Sequence, residues 1–136
     1  MSNIQKPNTD IADFVGFIQK GGKIKPFVKD IKLITTNVAG LDYIENIDEI
    51  FSQIQIEDKL DLFRESDNEY DYRAIIVKYH GEKIGYVPRN ENHVLSNLMD
   101  GGKLLYGVVV DFGEDEPYKG YKYRFLKFKI FLKEEF

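Results

Sequence analysis

The sequence predicts a mainly β domain: a small antiparallel barrel of six strands, with one or two short helices packed on it and one more helix at the N-terminus. Segments in which apolar and polar residues alternate follow one another at short intervals from residue 31 onward, which is typical of small barrels. Closure into a barrel would also remove the exposed edges of these apolar strands. The length of 136 residues fits a single domain that buries a core without cross-links.

The composition excludes several classes of functional site. The chain has no cysteine, so disulfides, cysteine-based zinc sites, iron–sulfur clusters and thiol nucleophiles are ruled out. Its two histidines, His80 and His93, are too few for a histidine-rich metal site, and we expect neither a metal nor another cofactor. Residues 1–10 are polar and no apolar run is long enough to span a membrane, so we expect a soluble cytoplasmic protein with no membrane partner.

Residues 1–30 are predicted to form an arm ahead of a barrel domain that covers residues 31–133. Within the arm, residues 11–20 carry apolar side chains at helical spacing, with Asp10 as a candidate N-cap and two glycines as a stop. The arm either covers part of the domain's own surface or contacts a partner. Packing on the domain is the favoured interpretation.

The first half of the domain is predicted to contain two strands and one helix. Alternation predicts a strand over 31–38, and Asn46 is a candidate cap for a helix over 47–54 with one apolar face. A short strand over 60–64 follows, with its leucines pointing inward. The polar segment 65–72 comes next and is rich in turn-forming residues.

A hairpin and a helix are predicted in the third quarter of the chain. Strands over 74–79 and 83–87 are separated by a His-Gly turn, and a proline ends the second of them. Asn90 is a candidate cap for a helix over 91–99, which a pair of glycines terminates. The residues of this helix that we expect to face inward are Val94, Leu95 and Leu98.

The last quarter is predicted to hold two strands, over 103–112 and 121–132, joined by a loop over 113–120 that is rich in Glu, Asp and Gly. The final strand alternates strictly along its length. Its lysines and arginine are interleaved with aromatic residues, which is the pattern that a groove for single-stranded nucleic acid would use.

Charge is distributed unevenly along the chain. The formal net charge of −4 argues against a protein that coats DNA without specificity. That average combines two opposite segments. Residues 42–71 hold eleven acidic and two basic side chains, whereas residues 118–133 hold six basic side chains and no acidic ones.

Two motifs distinguish the middle of the chain. Residues 64–77 follow the pattern R-x(3)-N-x-Y-D-x-x-A-I-x-V, in which a polar loop lies between two strands. Residues 81–89 follow as G-x-x-I-G-Y-V-P-R, and a Val-Ala-Gly sequence stands upstream at residues 38–40. With both motifs in this order and at this distance, the chain resembles the HIRAN domain family over roughly residues 31–132.

This resemblance implies a modified OB-like or SH3-like barrel that binds and does not catalyse. It also implies a pocket that recognises the free 3′ end of single-stranded DNA, in which aromatic rings stack on the terminal bases and polar groups hold the end. Carried onto this sequence, Asn68 and Asp71 hold the end and Arg89 contacts phosphate. The tyrosines that would form the base platform are Tyr43, Tyr70, Tyr86 and Tyr118.

The residue types suit this chemistry on their own. Every base has a π-face, so tyrosine platforms bind single strands with little sequence preference. An asparagine offers both a donor and an acceptor to a hydroxyl, and an arginine forks onto phosphate. Three positions depart from the family pattern: Asp42 replaces a basic residue of the DNA-binding members, Ile44 replaces an aromatic residue, and Tyr86 stands where some members have a histidine. The loss of a cation and gain of an anion at residue 42 lowers the expected affinity for phosphate.

Other interpretations of the same residues stay open. Asn68 and Asp71 could cap backbone N–H groups as Asx turns, and the tyrosines could belong to the barrel wall. A second functional hypothesis is a protein-interaction module on the same fold, in which the acidic face of residues 42–71 docks a basic partner. An enzyme is least favoured, because no converging set of catalytic or metal ligands is recognisable. Single-stranded DNA is the favoured partner because the residues match the two motifs jointly.

Overall fold

An antiparallel sheet of six strands dominates residues 29–134, the part of the protein that the computed structural model describes. This confirms the predicted mainly β fold, and the sheet curls into a half-barrel around one apolar core. The strands are β1 (Ile31–Asn37), β2 (Lys59–Arg64), β3 (Ile75–Tyr79), β4 (Glu82–Tyr86), β5 (Leu105–Tyr118) and β6 (Tyr121–Leu132). Their order across the sheet is β1-β6-β5-β2-β3-β4.

The alternation of apolar and polar residues decides which side of each strand is buried. In β6, Leu126, Phe128 and Ile130 are fully buried, while the residues between them face outward. Leu60 and Leu62 of β2 point into the same core, as predicted. Burying one such side chain stabilises the fold by about 1.5–3 kcal/mol, so this inward row is a main source of stability.

The two outer edges of the curled sheet meet at one point, where the chain leaving β1 reaches the end of β4. We call this point the barrel closure. The N–H of Ala39 donates to the carbonyl of Tyr86 at 2.8 Å, and the N–H of Tyr86 donates back at 2.9 Å. Gly85 permits this approach, since its φ is 152° and a Cβ there would lie 2.4 Å from the carbonyl oxygen of Ala39. The closure places Ala39 and Tyr86 side by side.

The first helix, α1, covers Ile47–Phe51 and is shorter than the predicted 47–54. The chain nevertheless continues in turns, so that Ile54 is buried with the residues of α1. Asn46 precedes α1 as predicted but does not cap it with its side chain, because the Asn46 amide donates to Glu82 on β4 at 2.8 Å. The amide therefore fastens the start of α1 to the sheet.

The second helix, α2, covers Asn92–Asp100 and follows a 3₁₀ turn, Arg89–Glu91. The predicted cap, Asn90, was wrong: it lies inside that turn, and the helix begins two residues later without a side-chain cap. Val94 was also assigned to the wrong side, since it is 66% exposed. The polar residues Asn92 and Ser96 are buried instead, together with the predicted Leu95.

The predicted loop over 113–120 was wrong. β5 continues to Tyr118 and pairs with β6 from end to end, with register shifts after Val109 and after Asp115, so only Lys119 and Gly120 form the turn. Glycine and acidic residues are rare in strands, which is why this segment reads as a loop. Opposite side chains offset that preference, because Asp111 is in register with Lys127 and the Tyr123 hydroxyl donates to Asp115 at 3.2 Å.

The predicted helix over 11–20 lies outside the described residues, so the N-terminal arm and its boundary at residue 30 stay predictions. Within residues 29–134, neither α1 nor α2 has the length and apolar character that crossing a membrane would require.

Candidate nucleic-acid interface

Five of the seven predicted site residues line one open pocket of about 380 Å³ beside the barrel closure. Its remaining walls are small or apolar: Ala39, Ala74 and Val87. All three belong to the motif segments, although none was predicted as a site residue. The five predicted residues in the pocket are Asn68, Tyr70, Asp71, Tyr86 and Arg89.

Three pieces of backbone build this pocket. Tyr86 ends β4 at the barrel closure, and Pro88 follows it with an extended conformation that ends the strand. The 3₁₀ turn after the proline then begins with Arg89. The opposite wall is the loop over 65–74 between β2 and β3, which Arg64 ties down by donating to the carbonyls of Ala74 and Tyr72.

Asn68 organises that loop. Its side-chain oxygen accepts from the N–H groups of Tyr70 and Asp71 at 2.8 and 2.9 Å. Asp71 does the same for the N–H of Arg73 at 3.0 Å, and its second oxygen accepts from Asn92 at 2.8 Å. Both side chains therefore form the Asx turns weighed from the sequence, and both also line the pocket.

A polar cluster joins the two sides of the pocket. The Tyr86 hydroxyl donates to Glu65 at 2.7 Å and accepts from the ammonium of Lys83 at 2.8 Å. Asn68 donates to the same carboxylate at 2.7 Å and makes a longer contact of 3.4 Å with Tyr86. Sequence reasoning missed Glu65 and Lys83. The three-residue spacing of Glu65 and Asn68 within a turn-rich segment was the available signal.

These hydrogen bonds stabilise the charged forms of the carboxylates. The bonds from Asn68 and Tyr86 lower the pKa of Glu65 below its ordinary value, against the opposing effect of burial. For Asp71, burial alone would raise the pKa, but the bond from Asn92 and the nearby Arg89 outweigh it and the pKa is lowered. The lining of the pocket therefore carries one carboxylate, Asp71, and one guanidinium, Arg89. Behind it, the Glu65 carboxylate and the Lys83 ammonium both bond the Tyr86 hydroxyl.

The lowered pKa values predict acid sensitivity. A group with a depressed pKa in the folded state stabilises the fold above its ordinary pKa of about 4, and that stabilisation is lost as the pH falls through the folded value. Urea unfolding should therefore show that Glu65→Gln lowers the free energy of unfolding most at pH 7. The difference from wild type should shrink at acid pH. The control is Glu69→Gln at an exposed position, and an equal pH dependence in both variants would contradict the role of Glu65.

Tyr43 and Tyr118 do not line the pocket. Tyr43 ends a 3₁₀ turn, Leu41–Tyr43, and is 92% exposed. Tyr118 ends β5 at the tip of the hairpin and is 73% exposed. These two tyrosines were predicted as site residues from their positions relative to the motifs, and they do not belong to the motifs themselves. The sequence therefore said less about their location in the fold than about that of the other five residues.

The acidic and basic segments meet in space at Arg124. One guanidinium nitrogen lies 3.3 Å from the carboxylate of Asp42, and another bonds Asp48 at the start of α1. The acidic residue that departs from the family pattern therefore has a cationic partner of its own. This pairing also neutralises part of the predicted acidic face of residues 42–71.

Comparisons with known proteins agree with this fold. The family model described as HIRAN domain matches residues 31–132. A crystal structure of a protein from Lactobacillus plantarum is 29% identical, with a TM-score of 0.67, over 80% of this chain and 100% of that chain. The crystal structure of the HIRAN domain of human HLTF is 21% identical, with a TM-score of 0.52, over 77% of this chain and 81% of that one. No curated protein matches the chain.

Proposed function

Because the chain belongs to the HIRAN domain family, a family of DNA-binding modules, we propose that it binds single-stranded DNA and holds a free 3′ end in the pocket. The observation that supports this proposal is the pocket itself, which collects five side chains from two separate motifs. An open pocket lined by aromatic and polar side chains suits a bound nucleotide better than it suits a purely structural role.

Each side chain has a proposed role that follows from its contacts. Tyr70 and Tyr86 supply rings for base stacking. Arg89 contacts phosphate, since it lies near Asp71 but makes no hydrogen bond or ion pair within residues 29–134. Asn68 and Asp71 act mainly by fixing the loop, because their side-chain atoms already hold backbone N–H groups. We retain the two exposed tyrosines outside the pocket, Tyr43 and Tyr118, as contacts for other nucleotides of the strand.

The charges of the pocket favour a hydroxyl at the end of the strand. A terminal phosphate carries a charge of about −1.5 to −2 at pH 7. It would enter beside the carboxylate of Asp71, with Arg89 as the only cation among the described residues that line the pocket. The Glu65 carboxylate and the Lys83 ammonium lie behind this lining at the Tyr86 hydroxyl and offset each other. A hydroxyl brings no such repulsion and still offers a donor and an acceptor.

Fluorescence anisotropy with short single strands tests this function. At low salt we expect a strand with a free 3′ hydroxyl to bind roughly tenfold or more tightly than the same strand with a 3′ phosphate, because juxtaposed like charges cost several kcal/mol. A strand phosphorylated only at its 5′ end is the matched control and should bind like the free one. Negligible binding of all three strands would refute the proposal.

A further inference from the structure

A row of paired residues crosses the outer side of the sheet, opposite the core. Successive register pairs link β1 to β6, β5, β2, β3 and β4 without a break. The row is Lys32, Phe131, Tyr106, Asp61, Lys78 and Lys83. The row thus holds three lysines at the two edges of the sheet, with two aromatic rings and one aspartate between them.

Lysines on this side lie over aromatic rings. The ammonium of Lys59 is 5.6 Å from the ring centroid of Tyr106, and that of Lys78 is 4.9 Å from the centroid of Phe63. The ammonium of Lys83 is 4.3 Å from the ring centroid of Tyr86. Three rings on different strands therefore each have a cation beside them.

The charge of this side is positive. Asp61 and Asp111 face outward with the lysines, Asp115 lies further along the hairpin, and Asp30 accepts from the Tyr106 hydroxyl. The six lysines of this side outnumber these four carboxylates. Among the described residues, only Lys59 of these lysines has a carboxylate within ion-pair distance, at 3.9 Å from Asp61. We call this surface the outer lysine face. It consists of six lysines and the rings of Phe63, Tyr86, Tyr106 and Phe131. Its lysines are Lys32, Lys59, Lys78, Lys83, Lys127 and Lys129.

We propose that the outer lysine face binds the part of a single DNA strand that leaves the pocket, an inference that rests on the proposed function. The two sites are continuous. Tyr86 lines the pocket and pairs with Ile76, which pairs in turn with Phe63 on the face. The path along the outer side from β4 to β6 covers four strand spacings, or about 19 Å at about 4.8 Å each, which is room for several nucleotides.

The chemistry of the face selects a single strand. A base can replace an ammonium group over a ring, because stacking of a base on an aromatic side chain is stronger than an exposed cation–π contact. The displaced lysine then contacts the adjacent phosphate. Duplex DNA hides its base faces, so it could use only the lysines.

The test compares oligothymidylates of about four and about twelve nucleotides, both with a free 3′ hydroxyl, lengths that lie within the range one OB fold covers. Anisotropy titrations at several salt concentrations should show that wild type binds the longer strand at least tenfold more tightly and with a steeper salt dependence. The double variant Lys59→Gln, Lys129→Gln should lose this gain and reduce the salt slope by about 1.4, about 0.7 for each phosphate contact. Its affinity for the short strand should not change.

A matched double variant, Lys103→Gln and Lys122→Gln, makes the same charge change at exposed positions off the face and should behave like wild type. Equal affinity of wild type for the two lengths, or an unchanged salt slope in the Lys59 and Lys129 variant, would overturn the inference while leaving the pocket intact. If only the longer strand bound, the result would support binding at the outer lysine face and refute binding in the pocket. Failure of both strands to bind would refute both.

Discussion

Replacing Tyr70 by alanine is expected to weaken binding of a short single strand by roughly 5- to 150-fold, since stacking of one base on an aromatic ring is worth about 1–3 kcal/mol. The ring lines the pocket but is 81% exposed, so its removal takes little from the core. The loop should keep its shape, because Asn68 holds the backbone N–H of Tyr70 and not its ring. The loss should therefore appear in affinity and not in the melting temperature.

Tyr72→Ala provides the control for this experiment. Tyr72 lies two residues away in the same loop and is also exposed, but its ring contacts Arg73 and does not line the pocket. Its replacement should leave the affinity within about twofold of wild type, as is usual for a surface substitution. Equal losses in the two variants would show that the loop matters only as a whole and would remove Tyr70 from the proposed platform.

The second large effect is expected at the barrel closure. Gly85→Ala should lower the free energy of unfolding by about 2–5 kcal/mol, a large share of the 5–15 kcal/mol of a typical domain. Its positive φ strains any other residue, and the added Cβ would lie 2.4 Å from the carbonyl oxygen of Ala39 and 2.6 Å from Val38. Relief requires the two hydrogen bonds between Ala39 and Tyr86 to break, which also opens the pocket wall.

Urea unfolding measures this loss, and Gly102→Ala is its matched control. Gly102 also has a positive φ, of 95°, but a Cβ there meets no atom within 4 Å. That variant should lose only the backbone term, about 1–2 kcal/mol. If the two glycine variants lost the same free energy, the close approach at the closure would not matter to stability.

Local patterns were sufficient to predict most of the sheet. The period of two fixed which residues of β2 and β6 face the core, and the His-Gly turn fixed the hairpin of β3 and β4. The hairpin extension of β5 could not be predicted, because the residues that pair with its acidic side chains, such as Tyr123 opposite Asp115, lie on β6 and no local pattern shows that pairing. The exposure of Val94 depends in the same way on how α2 sits on the sheet, which no local pattern contains.

The same distinction between local patterns and long-range contacts applies to the candidate site. Residues inside the two motifs came together because the hairpin and the barrel closure bring their segments side by side. Tyr43 and Tyr118 were placed by sequence position alone and lie outside the pocket. The pairing of Arg124 with Asp42 spans 82 residues of the chain, so the sequence showed two opposite charge segments without showing that they touch.

An NMR titration of the ¹⁵N-labelled protein shows whether the pocket holds the end of a single strand. A short oligothymidylate with a free 3′ hydroxyl should shift the backbone amide signals of Ala39, Tyr70, Asp71 and Arg89 first, at the lowest ratios of DNA to protein. The same strand with a 3′ phosphate should shift them much less. Saturable binding that leaves these signals in place, or that moves them equally with both strands, would contradict this role of the pocket.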